Sequence, residues 1–449
     1  MTEPTAASGE AGSRESFSSA LGFTLAAVGS AVGLGNMWRF SYQAAENGGA
    51  AFVFLYIAMT ALVGLPVMLA ELTVGRGARR SPIQALVHFG GRGWGPLGLV
   101  FVVAGVVILG YYSVIAGWTV RYAIEIAAKG FAPDSGAYFQ TVAFVPQSLA
   151  WHVGFMGLTA MIVSGGIRGG IERASIVLMP VLAVLVVGLA IYAATLDGAG
   201  EGYAYYFGTD KLAAMGRLEV ITSAAGQAFF SLSLGMGAIL TYASYLDDHH
   251  DLPRESVLIA VSDFAIAFIA GLVVFPFIFA FGLEEQVGES TVGALFITLP
   301  EAFATLGALG RFLGTLFFVA LVVGALTSAI SLLEVVVASV IDNLGWSRPG
   351  AVWSAAGVIT LVGVPAAFSE RALGIMDKIG GELVLVFGGL LLAVFVGYRM
   401  RDPVGEMSRG SREMGWFFAW RALLRYVVPP VLVFVLWFSL QATLDLLLG

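Results

Sequence analysis

Residues 29–36 read Gly29-Ser30-Ala31-Val32-Gly33-Leu34-Gly35-Asn36, and residues 231–237 read Ser231-Leu232-Ser233-Leu234-Gly235-Met236-Gly237. Each stretch sits inside an apolar block, 17–40 and 220–245, and each block is long enough to cross a bilayer, which takes roughly 20 apolar residues. Both carry a Gly-x-Gly with hydroxyls or amides beside it. Backbone freed in hydrocarbon must be satisfied inside the protein, so a broken helix there lines a cavity. The two stretches lie five spans apart. Interrupted segments at matching positions of two halves point to an inverted-repeat transporter with its site at the midplane. Close helix packing through small residues explains the glycines alone equally well. The polar neighbours favour the site.

Working outward, the 449 residues are 58% hydrophobic and only 12% charged, about half the charge of a typical soluble domain. Eleven apolar blocks are predicted to be spans, at 17–40, 50–74, 95–125, 150–165, 173–195, 220–245, 256–281, 311–342, 351–368, 381–398 and 418–446. No block has the alternation of a membrane β-barrel. The chain is therefore expected to be an all-α integral membrane protein. Residues 1–12 are small and polar and read as a disordered tail, without the basic start and short apolar core of a cleaved signal. Cysteine is absent, which removes disulfides and thiolate metal sites. The formal charge of −7 argues against nucleic acid as a partner. The partner implied by composition is the lipid bilayer.

Basic residues set orientation. Arg14, Arg76, Arg79, Arg80, Arg92, Arg168, Arg173, Arg254, Arg348, Arg399, Arg401, Arg409 and Arg412 fall on one side of the predicted spans. Lys129, Lys211, Arg217, Arg311, Arg371 and Lys378 fall on the other. The larger set belongs in the cytoplasm. This expects a multi-pass protein of the cell membrane with a cytoplasmic N-terminus and an outside C-terminus.

Ionisable residues within spans cost about 2.5–3.5 kcal/mol each on insertion scales and mark function by default. Arg39, Glu71, Asp263 and Glu334 are the candidates, with Asp342 and Asp377 at span ends. For each, a structural ion pair or a water-facing helix end is the plainer explanation. The four histidines, His88, His152, His249 and His250, are placed in loops or at span ends. No zinc-protease motif or nucleophile–base pattern appears, so an enzyme is not expected.

Gly33-Leu34-Gly35-Asn36-Met37-Trp38-Arg39-Phe40, followed by Asn47-Gly48-Gly49-Ala50, resembles the first-span signature of the neurotransmitter:sodium symporters. Glu71 with Gly75-Arg76, Tyr111-Tyr112 with Trp118, Ser231 through Tyr245, and Leu326-Thr327-Ser328 resemble later parts of that family in order. The resemblance implies a 5+5 inverted repeat like that of the bacterial leucine transporter. Helices 1 and 6 would be discontinuous. The core would span 13–398, with repeat one at about 13–195 and repeat two at about 218–398. Residues 399–449 would add a cytoplasmic loop and an eleventh helix.

The resemblance also implies sodium-coupled symport of large aliphatic or aromatic L-amino acids by alternating access. A non-transporting amino-acid receptor or a channel on the same fold is the alternative. Matching residue by residue, one sodium ion would take Ala31, Asn36, Ser231 and Asp263. A second would take Gly29, Val32, Gly324, Thr327 and Ser328. Substrate would meet Ala31, Gly33, Gly35, Ile108, Tyr112, Phe230, Ser231, Ser233, Met236, Ala329 and Leu332. The outer gate would pair Arg39 with Asp377. The inner gate would pair Arg14 with Asp342, supported by Tyr245 and Glu334, with Phe17 where the family usually has Trp. Glu71 would accept bonds from backbone freed at the breaks.

Two departures carry meaning. Gly33 stands where monoamine-transporting relatives have Asp, so the substrate should bring its own carboxylate. Asp263 stands where chloride-dependent relatives have Asn, with Ala267 in place of a Ser one turn later; Tyr56 and Gln227 match other chloride-site positions. A fixed carboxylate at Asp263 would supply the charge that chloride supplies elsewhere, so chloride is not expected to be required.

Overall fold

The computed structural model describes residues 15–209, 211–283, 294–411 and 416–448. Among these residues the regular structure is entirely helical. Eight helices are long and apolar enough to cross a membrane: Ala50–Ala78, Arg92–Lys129, Ile167–Ala193, Leu252–Ala280, Gly307–Leu344, Arg348–Phe368, Glu370–Arg399 and Phe417–Gln441. These are spans 2, 3, 5, 7, 8, 9, 10 and 11. Span 1 is a ninth, built from Ala20–Ala31 and Gly35–Glu46 with a 58° bend between them. The helix Pro146–Ser164 occupies the place of span 4. Leu218–Ser231 and Ala238–Ala243 together occupy the place of span 6. Each of the eleven expected blocks thus holds helix. Prolines open several of them, where the missing N–H costs nothing.

The breaks fall at the two quoted stretches. In span 1 the helix stops at Ala31, and Val32 turns extended with ψ 110°. In span 6, residues 232–237 leave the helix, with Ser233 at φ 54°, Gly235 at φ 75° and Gly237 at φ 71°. Left-handed backbone favours glycine. At Gly235 packing demands it as well, since an added Cβ would lie 2.0 Å from the Leu385 carbonyl. The buried carboxylate of Glu71 on span 2 accepts from Gly235 N–H at 2.8 Å and Leu240 N–H at 3.1 Å. Two orphaned donors of the broken helix are thereby satisfied inside the protein.

The basic loops meet on one face. Buried Arg76 donates to the carbonyls of His250, Arg409, Glu406 and Met407. One guanidinium therefore clasps the loop after span 6 and the loop after span 10 to the end of span 2. Its neighbour Glu406 is buried in that loop; burial pushes its carboxyl above the usual carboxylate range, against the pull of Arg76 and Arg409. Arg79 reaches Asp248 at 3.4 Å, and Arg168 holds Ser16. His152 departs from its expected place. It is fully buried within span 4, between the Ser113 hydroxyl at 2.9 Å and the Thr360 carbonyl at 3.1 Å. There it pins spans 3, 4 and 9 together.

Candidate functional site

The two breaks lie side by side. The Ser233 hydroxyl donates to the Ser30 carbonyl at 2.7 Å. Span 8 runs past them and contributes hydroxyls. Ser328 Oγ lies 3.3–3.4 Å from the carbonyls of Gly29, Ser30 and Val32. Thr327 Oγ1 donates to the Gly324 carbonyl at 3.0 Å and lies 3.5 Å from the Val32 carbonyl. This is a cluster of uncharged oxygens, the donor set a hard cation prefers.

A second polar cluster surrounds Asp263 of span 7, which is fully buried. Its carboxylate accepts from Asn36 Nδ2 at 2.6 Å, Ser231 Oγ at 2.7 Å and the Tyr56 hydroxyl at 3.0 Å. Asn36 Nδ2 also lies 3.0 Å from Ser231 Oγ, and Asn36 Oδ1 accepts from the Gly33 N–H at 3.0 Å. Gln227 donates to the Gly35 carbonyl at 3.1 Å. The cluster therefore joins spans 1, 2, 6 and 7 around one carboxylate. No cationic side chain contacts it among the described residues.

Between the clusters is a small cavity of about 20 Å³. Ala31, Gly33, Gly35, Ile108, Tyr112, Phe230, Ser231, Ser233, Met236 and Leu332 line it, as do Ser30, Asn36 and Ser328. Ala329, expected as a side-chain contact, is buried but does not line it. The helical rotation of span 8 turns Ser328 and Leu332 inward instead. The Tyr112 hydroxyl accepts from the Leu34 N–H at 3.2 Å. A Cβ at Gly33 would come within 2.5 Å of Ser328 Oγ and 2.8 Å of the Tyr112 hydroxyl, and one at Gly35 within 2.7 Å of Phe230. Side chains at either position would displace the groups that define the cavity.

Beyond Phe230, away from the basic loops, a wider cavity of about 340 Å³ opens. Arg39 stacks its guanidinium 4.7 Å from the Phe230 ring centroid. It pairs with Glu382 at 2.8 Å, and the expected partner, Asp377, also acts on it through charge. Asp377 lines the same cavity and accepts from the Tyr111 hydroxyl at 2.8 Å. Residues 377–384 form a π-helical turn. That wider turn presents Glu382, five residues on, to the guanidinium. Lys378 also holds Glu382, at 2.9 Å.

On the basic face the cavity is closed by rings and charges. Phe17 packs edge-on against Tyr242 and Tyr245, with centroids 5.9 and 6.5 Å apart. The Tyr245 hydroxyl donates to Glu334 at 2.5 Å, and Arg348 pairs with Glu334 at 2.6 Å. Arg348 figured in the sequence only as a topological charge. Its reach back to Glu334 depends on the tight turn at 345–347 between spans 8 and 9. Asp342 accepts from the Ser81 N–H at 2.6 Å. Arg14 and Arg412 lie outside the described residues.

Two breaks, a hard-oxygen cluster and a buried carboxylate around a small central cavity fit a coupled transporter. A family model for the sodium:neurotransmitter symporter family matches residues 14–133 and 144–446. The chain belongs to that family. An uncharacterised sodium-dependent transporter of Bacillus subtilis is 34% identical to this symporter over 93% of this chain and 96% of its own. The sodium- and chloride-dependent glycine transporter 2 of Xenopus laevis is 26% identical over 95% of this chain and 64% of its own. Among solved structures, MhsT in complex with L-phenylalanine superposes with a TM-score of 0.87 at 39% identity, covering 95% of this chain and 99% of MhsT. The symporter is accordingly a multi-pass sodium-dependent membrane transporter, not an enzyme, with an MhsT-like fold.

Proposed function

We propose that this symporter carries large aliphatic or aromatic L-amino acids with two sodium ions, by alternating access and without chloride. The observation that carries the substrate class is the lining of the central cavity: none of its residues is charged. A bound amine therefore has no acidic partner, and the ligand must bring a carboxylate of its own. Tyr112 would donate to it, and the sodium held by Ala31, Asn36, Ser231 and Asp263 would neutralise it. The second sodium would sit among Gly29, Val32, Gly324, Thr327 and Ser328.

The cavity walls are Ile108, Phe230, Met236 and Leu332. At about 20 Å³ the space is too small for a phenylalanine-sized side chain, so the walls must give. Met236 is unbranched and adaptable, which suits that role. The solved relative MhsT holds L-phenylalanine, in agreement with the apolar lining. The membrane potential contributes roughly 2.3 kcal/mol per charge per 100 mV to the drive.

Uptake into proteoliposomes tests the reading. A sodium gradient should drive accumulation that an equal potassium gradient does not. Phenylalanine, tryptophan and leucine should compete for it. Glycine, glutamate and decarboxylated amines should compete at least tenfold less well. Competition by phenylethylamine equal to that of phenylalanine contradicts the substrate class.

In this reading the basic loops are cytoplasmic, Arg39 belongs to the outer gate, and Asp342 with Tyr245, Glu334 and Arg348 to the inner one. Arg39→Ala should favour the outward-open state and Asp342→Ala the inward-open state, each cutting uptake about tenfold. With no native cysteine, single cysteines placed on either face report the shift. Labelling that moves the same way in both variants removes the two-gate assignment.

A further inference from the structure

Glu172 of span 5 is almost fully buried, with 2% of its surface exposed, yet no cation meets it among the described residues. Its carboxylate instead accepts three bonds from the start of span 1. Ser18 donates its N–H at 2.8 Å and its hydroxyl at 2.7 Å, and Ser19 donates its hydroxyl at 3.1 Å. Ser19 is also the N-cap of Ala20–Ala31, accepting from the Gly22 N–H at 3.0 Å. A Cβ at Gly22 would fall 1.9 Å from the Glu172 carboxylate. Glycine there lets the anion sit against the helix N-terminus, where the backbone dipole favours it.

The tie is part of a strap. Glu172 closes a π-helical turn, Ile167–Glu172, that begins span 5. The Ile167 N–H donates to Glu15 at 2.6 Å, and Arg168 donates to the Ser16 carbonyl and hydroxyl at 2.9 Å each. Residues 15–19 are thus bound along residues 167–172 by side chains that do not line the central cavity. Among the described residues the Glu172 carboxylate is held by hydroxyl and amide donors rather than by a cation, and a charge within a membrane span marks function by default.

We propose that Glu172 is the latch that holds the N-terminal half of span 1 shut, and so positions the second sodium cluster away from the cytoplasm. The proposal rests on the transport reading above. That half of span 1 carries the Gly29 and Ser30 carbonyls that face Ser328 and leads directly into the break at Val32. Phe17, just before it, covers Tyr242. Swinging it off span 5 opens the oxygen cluster toward the basic face.

The chemistry suits a reversible tie. Hydroxyl and amide donors exchange for water at little cost. A second acid that meets this half of span 1 stands differently. Glu255 holds Thr24 at 2.7 Å, but it lies on span 7, which moves with span 1 in a rocking bundle. Glu172 crosses from the bundle to the span outside it.

The test uses the full chain with Tyr242→Cys as reporter, since Tyr242 is 1% exposed beneath Phe17, and maleimide as probe. In sodium, Glu172→Gln should raise the labelling rate about tenfold, and Ser18→Ala, at an exposed position, about threefold. A second reporter on the opposite face, Leu373→Cys, should label no faster in either variant. Faster labelling at both reporters means general loosening and overturns the latch, as does an unchanged rate at Tyr242→Cys. If Glu172→Gln does not fold, Ser18→Ala decides alone. A parent Tyr242→Cys rate that is indifferent to sodium overturns the transport reading instead.

Discussion

Asn36→Ala is expected to weaken sodium-dependent substrate binding by a hundredfold or more. The amide is the hub of the buried cluster. It gives Asp263 its shortest bond, at 2.6 Å, touches Ser231 at 3.0 Å, and takes the Gly33 N–H at 3.0 Å. Alanine removes the oxygen proposed as a sodium ligand and strands two buried groups at once. Each stranded group costs about 1–3 kcal/mol, so roughly 3 kcal/mol together, which is about two decades of affinity. Thr327→Ala should cost less, about tenfold. Its hydroxyl already bonds back to the Gly324 carbonyl at 3.0 Å and stands 3.5 Å from the Val32 carbonyl, so its loss leaves little unmet. Equilibrium binding of labelled phenylalanine in sodium and in potassium, with melting temperatures as the folding control, measures both. Equal wild-type affinity in the two salts would falsify the sodium sites altogether.

The ordering of these two effects reflects what the sequence could show. The breaks were legible because they need particular residues: Gly235 cannot bear a Cβ, and the N–H groups that the break frees call for an acceptor such as Glu71. Asp263 was legible because a carboxylate in an apolar run is conspicuous. The full set of partners around Arg39 was not. Arg39 was matched to Asp377, and the π-helical turn at 377–384 brings up Glu382 as well; no 3.6-residue periodicity anticipates a wider turn. Glu172 was hidden for the same reason. Its segment, rich in Gly165, Gly166, Gly169 and Gly170, reads as a loop before span 5, and span 5 was expected to begin at 173. The structure extends the span back to Ile167 through a π-helical turn. Pairings fixed by irregular helix are tertiary facts that local pattern does not carry.

The anion at Asp263 sets the other large effect. In the proposed reaction, two sodium ions and a zwitterion would leave net positive charge around the cavity, in surroundings where charge is poorly screened. The Asp263 carboxylate, held by Asn36, Ser231 and Tyr56, would balance it. Wild-type uptake should therefore persist when chloride is replaced by gluconate. Asp263→Asn keeps the shape and removes the charge. At an effective dielectric of about 20, one charge at about 4 Å is worth roughly 4 kcal/mol, so uptake in gluconate should fall at least a hundredfold. The Tyr56 and Ser231 hydroxyls that aim at the carboxylate would then face an amide. They could turn to a small anion instead, so added chloride should restore part of the variant's uptake while leaving the wild type unchanged. Ala267, one turn along span 7, is buried and apolar and offers no hydroxyl to such an anion, which limits the rescue. A strict chloride requirement in the wild type, or full activity of Asp263→Asn in gluconate, sinks this account. In either case the balancing charge would have to come from somewhere other than span 7.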